Sequence, residues 1–219
     1  MTRKPYKAVI FDLDGTLLNT LEDISDSMNY VLRNKGFPTH KLDAYNYFVG
    51  EGVARLVAQA LPKDKRNEET IKECYEDFKY YYSLNWKVKT KLYQGIPEML
   101  NALTERDIKL SILSNKPHEF TLQCVDEFFS QWIFDVVLGM KDSVPPKPDP
   151  TGALQIAEKF KMETSCILYL GDTSVDMKTA VNAKMLPIGV LWGFRSREEL
   201  LQNGAKVLLN NPMDILEIL

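Results

Sequence analysis

The sequence predicts an α/β protein, a parallel β-sheet with helices on both faces, interrupted after its first strand by an all-helical insertion. Two observations carry this prediction. From Gly95 onward, short apolar runs alternate with segments of helical periodicity, the pattern of a parallel sheet. Between the first apolar run and Gly95 there is no strand-like run, and apolar residues recur at spacings of three and four. A chain of 219 residues can hold one full domain and a smaller one. Its 45% hydrophobic and 26% charged content are ordinary for a globular protein.

Taken in order, residues 7–12 form the first strand, because Ala8 to Phe11 is a continuous apolar run suited to burial on both faces. A helix over 18–36 places Leu18, Leu21, Ile24, Met28, Val31 and Leu32 on one face, and Gly36 with Phe37-Pro38 stops it. Helices over 52–61 and about 68–86 follow. Within the latter, Phe78, Tyr80, Tyr81, Tyr82 and Trp86 read as internal packing rather than a stacking platform. Pro97 then opens a helix, followed by a strand at 110–115, a helix at 117–128 and a strand at 134–139. After a Pro-rich loop come a helix at 150–160, a strand at 166–172, a helix at 174–183 and a strand at 187–192. A strand at 206–209 and a short final helix end the chain. The expected division is a core of 1–17 with 91–219 and a helical insertion of 18–90 lying over the strand ends. Its two connections are expected to act as hinges.

Composition narrows the function. A formal net charge of −3 argues against a general nucleic-acid binder, and Lys63-Asp64-Lys65-Arg66 reads as a solvated loop. No apolar stretch suits a signal peptide or a membrane span, so a cytoplasmic protein without membrane partners is expected. Cys74, Cys124 and Cys166 lie far apart without a C-x-x-C pattern, which suits buried thiols in a reducing compartment. His40 and His118 share no metal-ligand spacing. The sequence carries no signal of oligomeric state.

The chemistry gathers at predicted strand ends. Asp12 and Asp14 follow the first strand, where ligands collect in open α/β sheets. Two acids so close call for a cation, a shared proton or both. Ser114-Asn115 ends another strand and offers a hydroxyl and an amide to an anion. Lys147 sits in Pro145-Pro146-Lys147-Pro148-Asp149-Pro150, where flanking prolines stiffen the loop and aim one cation. Gly171-Asp172-Thr173-Ser174-Val175-Asp176 adds two carboxylates at a strand end and helix start. Hard oxygen ligands suit Mg²⁺, while the lysine and neutral donors suit phosphate oxygens. In the insertion, Gly50 and Gly52 allow close backbone approach to a ligand and Arg55 suits a carboxylate. The same residues read equally as a tight turn before a helix with a solvated arginine.

These motifs, in this order, resemble those of haloacid-dehalogenase-superfamily phosphatases. Asp12-Leu13-Asp14-Gly15-Thr16 is similar to the first motif, Ser114 to the second, Lys147 to the third, and Gly171-Asp172 through Asp176 to the fourth. The resemblance spans the chain and implies a Rossmann-like core of strand order 3-2-1-4-5 with an inserted helical cap of the C1 type. It implies that Asp12 is the nucleophile, forming an aspartyl-phosphate, and that Asp14 protonates the leaving alcohol and later activates water. Mg²⁺ would be held by Asp12, the backbone carbonyl of Asp14 and Asp172, with Asp176 in support. Thr16, Ser114, Asn115 and Lys147 would grip the phosphoryl oxygens. Val49-Gly50-Glu51-Gly52 is similar to the V-G-x-G loop in the cap of phosphoglycolate phosphatases, which ranks 2-phosphoglycolate first among small phosphorylated metabolites. A β-phosphoglucomutase-like phosphotransferase, or a pyrophosphatase, sugar or nucleotide phosphatase, would use the same core. Asp14 argues against a dehalogenase.

Overall fold

The computed structural model describes residues 6–219. In chain order its elements begin with β1 (Ala8–Phe11), β2 (Leu18–Asn19), α1 (Leu21–Asn34), α2 (Leu42–Phe48), α3 (Val53–Ala60), α4 (Glu68–Asn85) and β3 (Lys91–Leu92). There follow α5 (Ile96–Thr104), β4 (Lys109–Pro117), α6 (His118–Phe128), β5 (Val136–Met140) and α7 (Thr151–Phe160). The last are β6 (Ile167–Gly171), α8 (Ser174–Asn182), β7 (Leu186–Val190), α9 (Arg197–Gln202) and β8 (Val207–Leu209). Two compact units result: the described chain through Leu18 together with Leu92–Leu219, and Asn19–Lys91. The chain crosses between them at β2 and β3, which pair as a two-stranded sheet.

The larger unit is built on a six-stranded sheet in the order β5-β4-β1-β6-β7-β8, and every pairing is parallel. Counting sheet strands along the chain, this is the expected 3-2-1-4-5 order carried one strand further, with β8 as the added edge. β1 is central. Its four residues are fully buried, and a cluster including Ile10, Leu138, Ile156, Ile167 and Tyr169 packs one face of the sheet against its helices. Continuous apolar runs in β1 and β6 follow from burial on both faces.

The helical unit holds α1 to α4. α1 buries Met28, Val31 and Leu32, and α4 buries Cys74, Phe78 and Tyr82. The end of α1 is a left-handed Gly36 at φ +72°, with Gly36 N–H donating to Arg33 O and Phe37 N–H to Leu32 O, a paired closure of the last carbonyls. Asp23 on α1 is buried and accepts from Lys89 N–H at 3.0 Å, Thr90 N–H at 2.8 Å and Thr90 Oγ1 at 2.8 Å. One carboxylate thereby ties the first helix to the segment that ends the unit.

Several sequence expectations shift. The first helix begins at Leu21 rather than residue 18, because Leu18 N–H and C=O are used by Leu13 and Gly15 in the turn after β1. α2 and α9 were not anticipated. They have seven and six residues and bury only Tyr45 and Leu200 respectively, too little to print a periodicity. The final helix is a 3₁₀ segment, Pro212–Glu217, as suits so short a piece. Lys63–Lys65 forms an exposed 3₁₀ turn rather than plain loop. Phe78 and Tyr82 stack and are buried, and Tyr81 stacks on Tyr30 at 3.8 Å, but Tyr80 is exposed. Cys74 and Cys124 are buried and Cys166 half-buried, all as free thiols. No helix among the described residues is long and apolar enough to cross a membrane.

Candidate active site

The site is built at the carboxyl ends of β1, β4 and β6. Asp12 N–H still donates to Leu170 O at 2.9 Å, so Asp12 leaves β1 in register with β6. The chain then turns, with Leu13 O accepting from the N–H groups of Thr16, Leu17 and Leu18. Gly15 takes φ +88°, and a Cβ there would fall on the Asp172 carboxylate, so only glycine lets that carboxylate come so near the turn.

Three buried carboxylates converge. Asp12, Asp172 and Asp176 each offer an oxygen, all within 4.8 Å of one another. Lys147 stands among them, its Nζ 2.8 Å from Asp12 Oδ1 and 2.6 Å from Asp176 Oδ1. Asp12 Oδ1 also accepts from Leu13 N–H at 2.7 Å. Asp176 Oδ2 accepts from both Thr173 N–H and Thr173 Oγ1, at 3.1 and 2.6 Å, so each of its oxygens has a protein donor. Asp172 accepts from Thr16 Oγ1 at 3.2 Å and from Phe194 N–H at 2.8 Å.

Asp14 is placed apart from this cluster. Its two oxygens face Lys116 Nζ at 3.0 and 3.3 Å. Ser114 Oγ accepts from Lys116 N–H at 3.2 Å. Asn115 brackets the Lys147 backbone, its Oδ1 accepting from Lys147 N–H at 2.7 Å and its Nδ2 donating to Lys147 O at 3.2 Å. The loop carrying the lysine, with a cis Lys147–Pro148 peptide, is therefore fastened to the end of β4. Gly50, Gly52 and Arg55 belong to the helical unit. There Gly50 and Gly52 take φ +125° and +88° at the start of α3, and Arg55 is an exposed side chain 3.9 Å from Glu51. That is the geometry of a tight turn before a helix.

Burial and like charge set the electrostatics. Desolvation first, then Asp176, pushes the Asp12 carboxyl well above the usual range, against the pull of Lys147. The same two causes push Asp172 up to about 7, opposed by the Phe194 N–H and Arg195. Burial works against the charge on Lys147, but Asp12 and Asp176 outweigh it and hold its proton well above the ordinary lysine range. One lysine among three carboxylates leaves negative charge over, and buried anions demand compensation. Hard oxygen donors clustered this closely fit a divalent cation such as Mg²⁺.

Sequence reasoning missed three parts: Lys116, the Phe194 N–H and the clamp made by Asn115. For Lys116 there was a signal. It lies two residues beyond Ser114 at a predicted strand end, although β4 breaks its register against β5 between Leu113 and Pro117.

Comparison with known proteins agrees with this geometry. Residues 9–190 match the family model of haloacid dehalogenase-like hydrolases. A phosphoglycolate phosphatase of Aquifex aeolicus is 30% identical over 97% of this chain and 96% of its own. That of Haemophilus influenzae is 27% identical over 98% of each. A solved structure of a predicted phosphoglycolate phosphatase from Haemophilus somnus is 27% identical, covers 100% of this chain and 99% of its own, and superposes with a TM-score of 0.90. The chain belongs to the haloacid dehalogenase-like hydrolases and is an enzyme of the phosphoric monoester hydrolase class.

Proposed function

We propose that this enzyme hydrolyses a small phosphate monoester, 2-phosphoglycolate first among them, with Asp12 as nucleophile and Mg²⁺ as cofactor. The observation that carries the reading is the setting of Asp12: both hydrogen-bond donors, Leu13 N–H and Lys147 Nζ, fall on Oδ1 at the end of the central strand. That grip orients the carboxylate toward an incoming phosphorus. An Asp12 oxygen bonds to phosphorus as the bond to the leaving oxygen breaks, and the Asp14 carboxyl gives that oxygen its proton. Water then attacks the aspartyl-phosphate while Asp14 takes a proton back, releasing phosphate and restoring Asp12. Lys147, Thr16 and Ser114 offer donors to the phosphoryl oxygens, and Asn115 acts by holding the Lys147 loop.

Asp12 and Asp172, with the main-chain carbonyl of Asp14, would hold Mg²⁺. Asp176 stands in support beside them, its oxygens meeting Lys147 Nζ and the Thr173 N–H and hydroxyl. When bound, the cation supplies Lewis-acid charge to the phosphoryl oxygens. The substrate choice rests on the names of the relatives and on the likeness of Val49-Gly50-Glu51-Gly52 to the V-G-x-G loop of phosphoglycolate phosphatases.

A panel of phosphate monoesters assayed with Mg²⁺ tests the reading. The expected result is Mg²⁺-dependent release of phosphate with 2-phosphoglycolate at the top on kcat/KM. A rank near the bottom would remove that substrate and leave the reaction class, whereas hydrolysis of no monoester would remove both.

The cation has its own test, in thermal stability. An acid whose proton is held more tightly in the folded chain contributes stability below its unfolded pKa and loses it as pH rises through the folded one. With Asp172 pushed up to about 7, metal-free protein is expected to lose stability from roughly pH 4 to pH 7. Mg²⁺ binds the deprotonated form, so its effect on Tm should be larger at pH 8 than at pH 5. Equal shifts at the two values, or none, would contradict this.

A further inference from the structure

We infer that Lys116 is the positioning residue for Asp14. Its ammonium holds the Asp14 carboxyl in the orientation from which the proton reaches the leaving oxygen. The inference rests on the acid–base reading of Asp14 given above.

The two acids after β1 have separate lysines. Lys147 serves Asp12 and Asp176, whereas Lys116 meets both oxygens of Asp14 at 3.0 and 3.3 Å. The side chains of this second pair are 5% and 12% exposed. An exposed ion pair of this kind would add little and fix little. Burial changes that, because separating the two charges would strand each without water. An ammonium bridging both carboxyl oxygens restrains the rotation of the group.

The base under Lys116 is rigid. Its N–H donates to Ser114 Oγ at 3.2 Å, and its carbonyl accepts from Thr121 Oγ1 at 3.3 Å. Gly139 on β5 packs so closely against this point that a Cβ there would lie 2.8 Å from Lys116 O. Strand, helix start and neighbouring strand therefore fix the stem from which the lysine reaches Asp14. During cleavage, the electron pair of the breaking P–O bond passes to the leaving oxygen and the Asp14 proton follows it. The carboxylate left behind already faces a cation, and the group stays aimed for the water step.

The leaving group provides the test. A p-nitrophenolate departs without a proton, but an alkoxide needs one, and kcat/KM reads only the steps through P–O cleavage. Lys116→Ala and Lys116→Arg are compared with the parent on p-nitrophenyl phosphate, ethyl phosphate and 2-phosphoglycolate, with Mg²⁺ present and folding checked by Tm. Lys116→Ala is expected to lower kcat/KM for ethyl phosphate and 2-phosphoglycolate alike by about 100-fold. For p-nitrophenyl phosphate the change should stay within about threefold, and arginine should restore most of the loss. Equal losses on all three substrates would overturn the proposal in favour of a structural role. A loss confined to 2-phosphoglycolate would overturn it in favour of contact with the substrate carboxylate. Asp14→Asn, read in the same way, separates the two failures. If it shows the leaving-group signature and Lys116→Ala does not, the positioning role fails alone. If it shows none, the acid–base reading fails and takes the positioning role with it.

Discussion

Replacing Asp12 with asparagine is expected to abolish phosphate-monoester turnover while leaving the chain folded. Asparagine keeps the shape of the side chain but cannot attack phosphorus to give an acyl phosphate, so the loss should be at least about 10⁴-fold in kcat. Stability should move the other way or not at all. Burial and the nearby Asp176 already make a negative charge on Asp12 costly, and the neutral amide removes that charge. Lys147 retains Asp176 as its partner at 2.6 Å. Steady-state rates and a thermal melt on the same preparation separate the effects. Near-normal turnover would remove Asp12 from the nucleophile's role, and a collapsed melting curve would show that its charge is structural.

Lys147→Ala is expected to have the opposite profile, losing stability and activity together. The ammonium is nearly fully buried and bridges Asp12 and Asp176, while the Tyr169 hydroxyl, kept protonated by burial, lies beside it. Removing it leaves carboxylates buried without their cation, a loss of about 3–5 kcal/mol. For a chain of this size that corresponds to a fall in Tm of about 10 °C. Added Mg²⁺ should recover part of the fall, because it answers the same carboxylates, without recovering the rate. An unchanged Tm without Mg²⁺ would mean that the acids take up protons or reorganise once the lysine is gone.

The sequence made the core of this arrangement legible because its signals are local. An apolar run followed by two acids and a glycine marks the end of β1, and the proline-flanked Lys147 marks one aimed cation. Helices α1, α4 and α7 were readable because their buried faces repeat over several turns. What escaped is nonlocal or short. Asn115 reads as a phosphate donor in isolation, and only the packing of the β5–α7 loop against β4 turns its amide onto the Lys147 backbone. Lys116 reads as a lysine before a proline until β4 is seen to run on to Pro117. The Phe194 N–H that reaches Asp172 comes from a loop after β7, with no side chain to announce it. Likewise β2 has two residues, too few for any pattern.

The central place of β1 has a consequence for how the molecule is made. Ala8 pairs with Lys109 on one side and Ile167 on the other, so β1, once out of the ribosome, finds neither neighbour until much of the chain has followed. The segment that emerges next, Asn19–Lys91, is helical and makes its contacts among residues already synthesised. Local contacts form early and distant pairings late. The reactive centre is therefore complete only once β6 pairs beside a strand synthesised long before it.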